Sequence, residues 1–303
     1  MTRRGARTNL LPLALVAGLL LSTSAAAYVR TPSPDHKSFP LWPDARITMT
    51  LRTAGAQVVS PQDFRAAATR AVATWSTPNV DTAVAFTLDA SGDGPAGTRA
   101  DGVNTISFRS DSWAEPMYPD GVLALTTVWS QGARIVDADT EINAVDPRFK
   151  WGLLPDDPAA AALASEVDLQ NALTHELGHV LGLDHPCFLG EGPQTPPELD
   201  NLGQPAPSCA DPALPEAVKD ATMYPSSSPG SISERVLSPD EVLALHDLYP
   251  ARAAPGPTDP MLSGRGGCGF ADARSDTWGT LLATAAMLAC GAIRTRARRR
   301  DSR

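Results

Sequence analysis

Three of the chain's five histidines fall between positions 175 and 185, and their spacing limits the fold more than any other feature. His175-Glu176-Leu177-Gly178-His179 places two imidazoles four residues apart. On a helix they lie on one face about one turn apart, so both can reach one ion. Leu169, Leu173, Leu177 and Val180 form a separate apolar stripe on the same wheel, so the helix packs on a core while the His pair faces away from it. Glu176 falls between the two faces, where its carboxylate can reach a water on the ion without ligating the ion itself. His185 needs a break in the helix. In a continuous helix it would point about 120° away from His179 and lie roughly 9 Å further along the axis. Gly182 supplies the break, because glycine enters the left-handed conformation without a Cβ penalty and ends helices there. Three neutral imidazoles leave a fourth coordination position open for water, as a catalytic zinc requires. Glu176 is then the candidate general base, taking the water proton and passing it to a leaving amine. Adding Gly182 and His185 lowers the chance occurrence of the pattern to on the order of 10⁻⁵ for a chain of this length. That favours a metal site over incidental surface histidines.

The two ends read differently from the middle. Residues 1–27 have a basic start at Arg3, Arg4 and Arg7, an apolar run from Leu10 to Leu21 and small residues at Ala25-Ala26-Ala27. This is the layout of a secretory signal peptide cut after Ala27. Export implies a compartment where disulfides persist. Residues 251–277 read as a flexible linker carrying a Gly-Cys motif at Gly267-Cys268. Residues 278–303 read as an apolar membrane segment, Trp278 to Ile293, followed by an arginine-rich tail that sets its orientation. Between these ends, residues 28–250 hold 13 Lys and Arg against 30 Asp and Glu, so 13 − 30 = −17. A region this acidic lacks the positive face that nucleic acid requires.

Within 28–250 the pattern is α+β with a mixed twisted sheet. A strand is expected at Ile47–Leu51 and an amphipathic helix over 61–76, capped by Ser60. Further strands are expected at Val84–Leu88, Thr105–Arg109, Leu123–Trp129 and Arg134–Asn143. A second helix, capped by Ser165, should run to about Leu181, and a third should begin at Ser238-Pro239-Asp240-Glu241 and end before Pro250. Residues 186–220 are proline-rich and aperiodic and read as an inserted surface loop. Cys187 and Cys209 bracket most of it, and a disulfide between them is the favoured pairing. Asp137, Asp139 and Glu141 alternate along a strand and could help bind calcium, against the plainer reading of a solvated strand face.

The pattern H-E-x-x-H-x-x-G-x-x-H at His175–His185 resembles the zinc signature of the metzincin metallopeptidases. Ala221-Thr222-Met223-Tyr224-Pro225 is similar to the methionine turn that these enzymes place below the zinc, and Met-Tyr-Pro resembles the matrixin branch. The resemblance implies a metzincin-like catalytic domain over 28–250, with an active-site helix and a smaller C-terminal subdomain after the third His. It implies that Met223 supports the site. It also implies that Leu123, Ala124 and Leu125 lie on an edge strand along which a polypeptide is laid, with Pro225 at the wall of the main specificity pocket. The chain departs from matrixins in three respects: the residue after the third His is Pro186, Pro225-Ser226-Ser227 lacks the usual tyrosine, and the loop before Met223 is long. The tail, with Cys268, an apolar run and clustered arginines, resembles sorting tails of the MYXO-CTERM type found on exported bacterial proteins. The expected function is therefore zinc-dependent hydrolysis of extracellular polypeptides at the cell surface. A non-enzymatic binding module on the same scaffold is the rival reading. Loss of Glu176 or of a histidine would have favoured it, and none is lost.

Overall fold

Ile47, Met49 and Leu51 alternate with more exposed neighbours, and this period-two pattern sets a strand with one face on a core. The computed structural model describes residues 27–76, 81–92, 94–114, 118, 120–190, 197–251 and 283–287. In chain order its elements are β1 (Val29–Arg30), β2 (Arg46–Arg52), α1 (Pro61–Trp75), β3 (Ala85–Gly92), β4 (Thr105–Arg109), β5 (Ala124–Gln131), β6 (Arg134–Asn143), β7 (Trp151–Gly152), α2 (Pro158–Ala161), β8 (Val167–Asp168), α3 (Leu169–Val180), β9 (Leu183–Asp184), α4 (Glu216–Lys219), a 3₁₀ turn (Ser233–Arg235), α5 (Pro239–Leu248) and β10 (Ala283–Met287). The architecture is α+β with a mixed sheet, in the order β10-β5-β6-β4-β2-β3. β2 runs parallel to β3 and β4, and β4 parallel to β6, whereas β5 runs antiparallel to β6.

Ser60 caps α1 as its sequence requires, its Oγ accepting from the Asp63 amide at 3.0 Å. Phe64, Ala68, Ala71, Val72 and Trp75 turn inward. Phe64 meets Phe108 of β4 edge-on, with ring centroids 4.9 Å apart. α1 packs beside α3, and the Trp75 indole N–H donates to the Thr174 carbonyl at 2.8 Å. The apolar stripe of α3 completes this core with Leu169, Leu173, Leu177 and Val180, all fully covered. Burying each such side chain contributes about 1.5–3 kcal/mol.

The chain after α3 closes over its C-terminal end. β9 pairs antiparallel with β1. Trp42 donates through its indole N–H to the Val180 carbonyl at 2.8 Å, and the Tyr249 hydroxyl, beyond α5, donates to the Leu181 carbonyl at 2.8 Å. Ser238 and Glu241 form the capping box of α5. The expected insertion at 186–220 is largely irregular, with α4 at its end, and it is stapled by a disulfide between Cys187 and Cys209.

At the other edge, β10 lies antiparallel to β5, from Ala283 opposite Trp129 to Met287 opposite Leu125. These are the only described residues of the expected membrane segment at 278–303. Among the described residues no helix is long and apolar enough to cross a membrane. The expected signal peptide, but for Ala27, lies outside the described residues, as do the linker from 252 to 277 with Cys268 and the arginine-rich end.

Candidate metal centre

The helix that carries the His pair starts later than its sequence predicts. Ser165 does not cap it. Residues 167 and 168 are extended, with Val167 paired to Trp151, and Asp168 is the cap, accepting from the Asn171 amide at 2.8 Å. A tertiary contact selects this cap. The Arg235 guanidinium donates to both Asp168 oxygens, at 2.6 and 2.7 Å, deep in the fold. Glu234, beside Arg235, accepts from the Asn171 side chain at 2.8 Å, and its own amide donates back to Asn171 at 2.7 Å. Burial pushes the Glu234 carboxyl well above the usual carboxylate range, with the Glu241, Glu176 and Asp168 carboxylates adding to it. These contacts lock the first turn of α3, one turn ahead of His175. The far side of α3 from its apolar stripe is buried as well, so every residue of the helix is covered.

Helix α3 ends where the glycine demands it. Leu181 is the C-cap, and Gly182 follows with φ of +84°. A Cβ there would also meet the Pro40 carbonyl oxygen at 2.9 Å. The chain turns into β9, and Thr31 secures it, its amide donating to the Gly182 carbonyl at 2.9 Å and its hydroxyl to the Leu183 carbonyl at 3.0 Å. His185 thereby returns to the His pair.

His175, His179 and His185 are all buried, and one ring nitrogen from each lies within 4.8 Å of the others. The ring centroids stand 4.8 to 5.3 Å apart. Two tautomers are set by carbonyl acceptors. His175 Nδ1 donates to the Thr222 carbonyl and His179 Nδ1 to the Leu183 carbonyl, each at 2.9 Å. Their Nε2 atoms therefore carry lone pairs. His179 Nε2 is buried with no hydrogen-bond partner, and His175 Nε2 sits 3.3 Å from His185 Nε2. Burial holds all three imidazoles below their ordinary pKa, so they are neutral. Neutral imidazoles with converging nitrogens, one of them without any partner, are what a shared cation needs. Among the described residues this is the one group of three or more His, Cys, Asp or Glu able to hold a metal ion.

Glu176 lies beneath β5. Its Oε2 accepts from the Thr126 hydroxyl at 2.6 Å, and its Oε1 is buried without a partner. Burial raises its pKa to about 8, although the Thr126 hydroxyl lowers it in part. Met223 packs on the helix at Gly178, where an added Cβ would overlap its sulfur and crowd Trp75 at 3.0 Å. Glu241 of α5 holds the turn around Met223, accepting from the Thr222 amide at 3.2 Å and the Met223 amide at 3.0 Å. The Thr222 carbonyl is also the His175 acceptor, so α5 reaches the histidine cluster through this turn.

Leu123, Ala124 and Leu125 are buried, the first just ahead of β5 and the others within it, and β5 is not the edge expected of it, because β10 pairs along its outer side. Pro225 follows the turn and is buried. Asp137 and Asp139 of β6 are engaged elsewhere. Asp137 accepts from the Gly102 amide at 2.6 Å, and Asp139 accepts from the Thr105 and Arg99 amides at 2.8 and 2.9 Å. They are buried and anchor the loop before β4, so a solvated strand face does not describe them. Glu141 accepts from the Tyr118 hydroxyl at 2.6 Å and pairs with Arg109.

Sequence reasoning missed Thr126, Asn171, Glu234 and Glu241 as parts of this site, and Gly178 as more than a spacer. The Gly178 signal was available, since a glycine inside a helix costs about 1 kcal/mol and calls for a packing reason. The others act over 18 to 63 residues of separation, which no local pattern marks. Compared with known proteins, the chain matches no family model and no curated sequence.

Proposed function

We propose that this chain is a zinc-dependent endopeptidase of metzincin type, matrixin-like, acting on extended polypeptides outside the cytoplasm. The observation that carries the reading is the convergence of three neutral, buried imidazoles beside a buried glutamate with one free oxygen. A set of three imidazole nitrogens suits zinc better than calcium or magnesium, which prefer oxygen. Bound by His175, His179 and His185, zinc would polarise a peptide carbonyl and lower the pKa of water to about 7.

The chain's own residues supply the rest. The Thr222 and Leu183 carbonyls fix two ring orientations, so the ligands need no rearrangement to bind. With the charge of a bound zinc nearby to keep the carboxyl ionised, Glu176 Oε1 would take a proton from the attacking water, whose oxygen adds to the carbonyl carbon. The same carboxyl then delivers the proton to the amine as the C–N bond breaks. The antiparallel pairing of β10 with β5 is the geometry an extended substrate would take along β5, and such a substrate would have to displace β10. The Cys187–Cys209 disulfide suits an exported protein.

The test is a peptide-library digest by the wild-type protein and by Glu176→Gln, each with its zinc content measured. The glutamine variant keeps one equivalent of zinc and loses at least 10²- to 10⁴-fold in turnover, the usual contribution of a positioned general base. Cleavage at the wild-type rate by the variant would refute the assignment.

A further inference from the structure

We propose that Thr126 is the positioning residue for Glu176. In this role its hydroxyl ties down one carboxylate oxygen and leaves the other presented for proton transfer. The inference rests on the endopeptidase reading but concerns a residue of β5 that this reading does not use.

Thr126 is fully buried. Its hydroxyl lies 2.6 Å from Glu176 Oε2, 3.3 Å from the Glu176 main-chain carbonyl and 2.9 Å from the Thr140 hydroxyl. A hydroxyl has one proton, and the shortest contact is to the acidic oxygen, so Thr126 donates to Glu176 and accepts from Thr140. The arrangement is built by strand register, since Thr126 of β5 stands directly opposite Thr140 of β6. Cross-strand threonines form a polar relay across an otherwise apolar layer and end on the carboxylate.

The relay is the only hydrogen-bond donor that the described residues offer to the Glu176 side chain, and Oε1 has none. A carboxylate held at one oxygen cannot swing away when its other oxygen is empty, and its free lone pairs keep one direction. A valine at 126 keeps the shape of the side chain and removes the donor. Glu176 would then be buried without a partner and free to rotate.

The experiment uses the full chain loaded with zinc. Wild type, Thr126→Val, Thr126→Ser and Thr140→Val are compared for zinc content, melting temperature, kcat and KM on one peptide. Affinity for acetohydroxamate is measured as well. That probe chelates a metal and shares its hydroxyl proton with a neighbouring carboxylate, so it reads the Glu176 position without any turnover. Thr126→Val should lower kcat by about ten- to a hundredfold, the worth of a hydrogen bond to a charged group, with KM within about twofold. Acetohydroxamate affinity should fall about tenfold in the same variant, and Thr126→Ser should restore both. Thr140→Val should show a smaller loss of the same kind.

Equal losses in the serine and valine variants would overturn the proposal, as would wild-type kcat and hydroxamate affinity in Thr126→Val. Should Thr126→Val fail to fold or to hold zinc, Thr126→Ala takes its place, with the same loss expected relative to serine. If the wild type cleaves no peptide yet hydroxamate binding still depends on the Thr126 hydroxyl, the positioning role stands and the endopeptidase reading fails.

Discussion

Helix α3 and strand β6 bury polar residues in the same fold, and they do so to opposite ends. In β6 the Asp137, Asp139 and Glu141 carboxylates are engaged by loop amides, a tyrosine and an arginine, with only Asp137 Oδ1 left over. In and just after α3, the backbone engages one nitrogen of two imidazoles, and one ring nitrogen from each of the three histidines converges within 4.8 Å. Both clusters hold residue types that bind ions. Only one brings three ring nitrogens together within reach of a single ion. The alternation of acids in β6 suggested calcium because residue type and spacing are all that a sequence displays. Which lone pairs are already taken is a tertiary fact.

The same distinction explains what was legible. The His pair, the glycine break and the capped helices α1 and α5 are local, and each rests on residues within about eleven positions. The strands of a mixed sheet followed from patterning, and the Cys187–Cys209 pairing from export and loop length. The start of α3 was misread because Ser165 and Asp168 are both good caps, and Arg235, distant in sequence, decides between them. The Thr126 contact was invisible because it depends on how β5 lies across α3.

Metal binding breaks the comparison most directly. Zinc added to chelated protein at about a thousandfold above its dissociation constant should stabilise it by roughly 4 kcal/mol, seen as a raised melting temperature. Calcium at the same excess should leave the melting temperature unchanged. A calcium shift as large as the zinc shift would put the β6 acids on the same footing as the histidines.

The pH dependence of the metal-free protein is the next largest effect. Burial raises the Glu176 pKa from 4.5 to about 8 in the folded state. The folded form therefore holds a proton that the unfolded form releases between these values, and Glu176 costs stability as pH rises through this window. Metal-free wild type should lose stability relative to Glu176→Gln between about pH 5 and pH 8, by an amount on the order of a few kcal/mol. Parallel stability curves for the two proteins would contradict the buried, unpaired carboxyl.

Asp139→Ala should have the smallest effect, and a different one. It leaves the Arg99 and Thr105 amides without their acceptor, a loss of about 1–3 kcal/mol in denaturant unfolding. Zinc content and turnover should not change. A drop in zinc stoichiometry would tie this strand to the metal centre after all.

The central claim is that a glycine bend returns His185 to His175 and His179, so that the three can share one zinc ion. Zinc stoichiometry and affinity of wild type against His185→Ala test it most directly. We expect one equivalent of zinc in the wild type, with affinity falling at least a hundredfold in the variant and the melting temperature of the metal-free protein little changed. Zinc bound equally tightly without the His185 imidazole would contradict the shared site and the chemistry built on it.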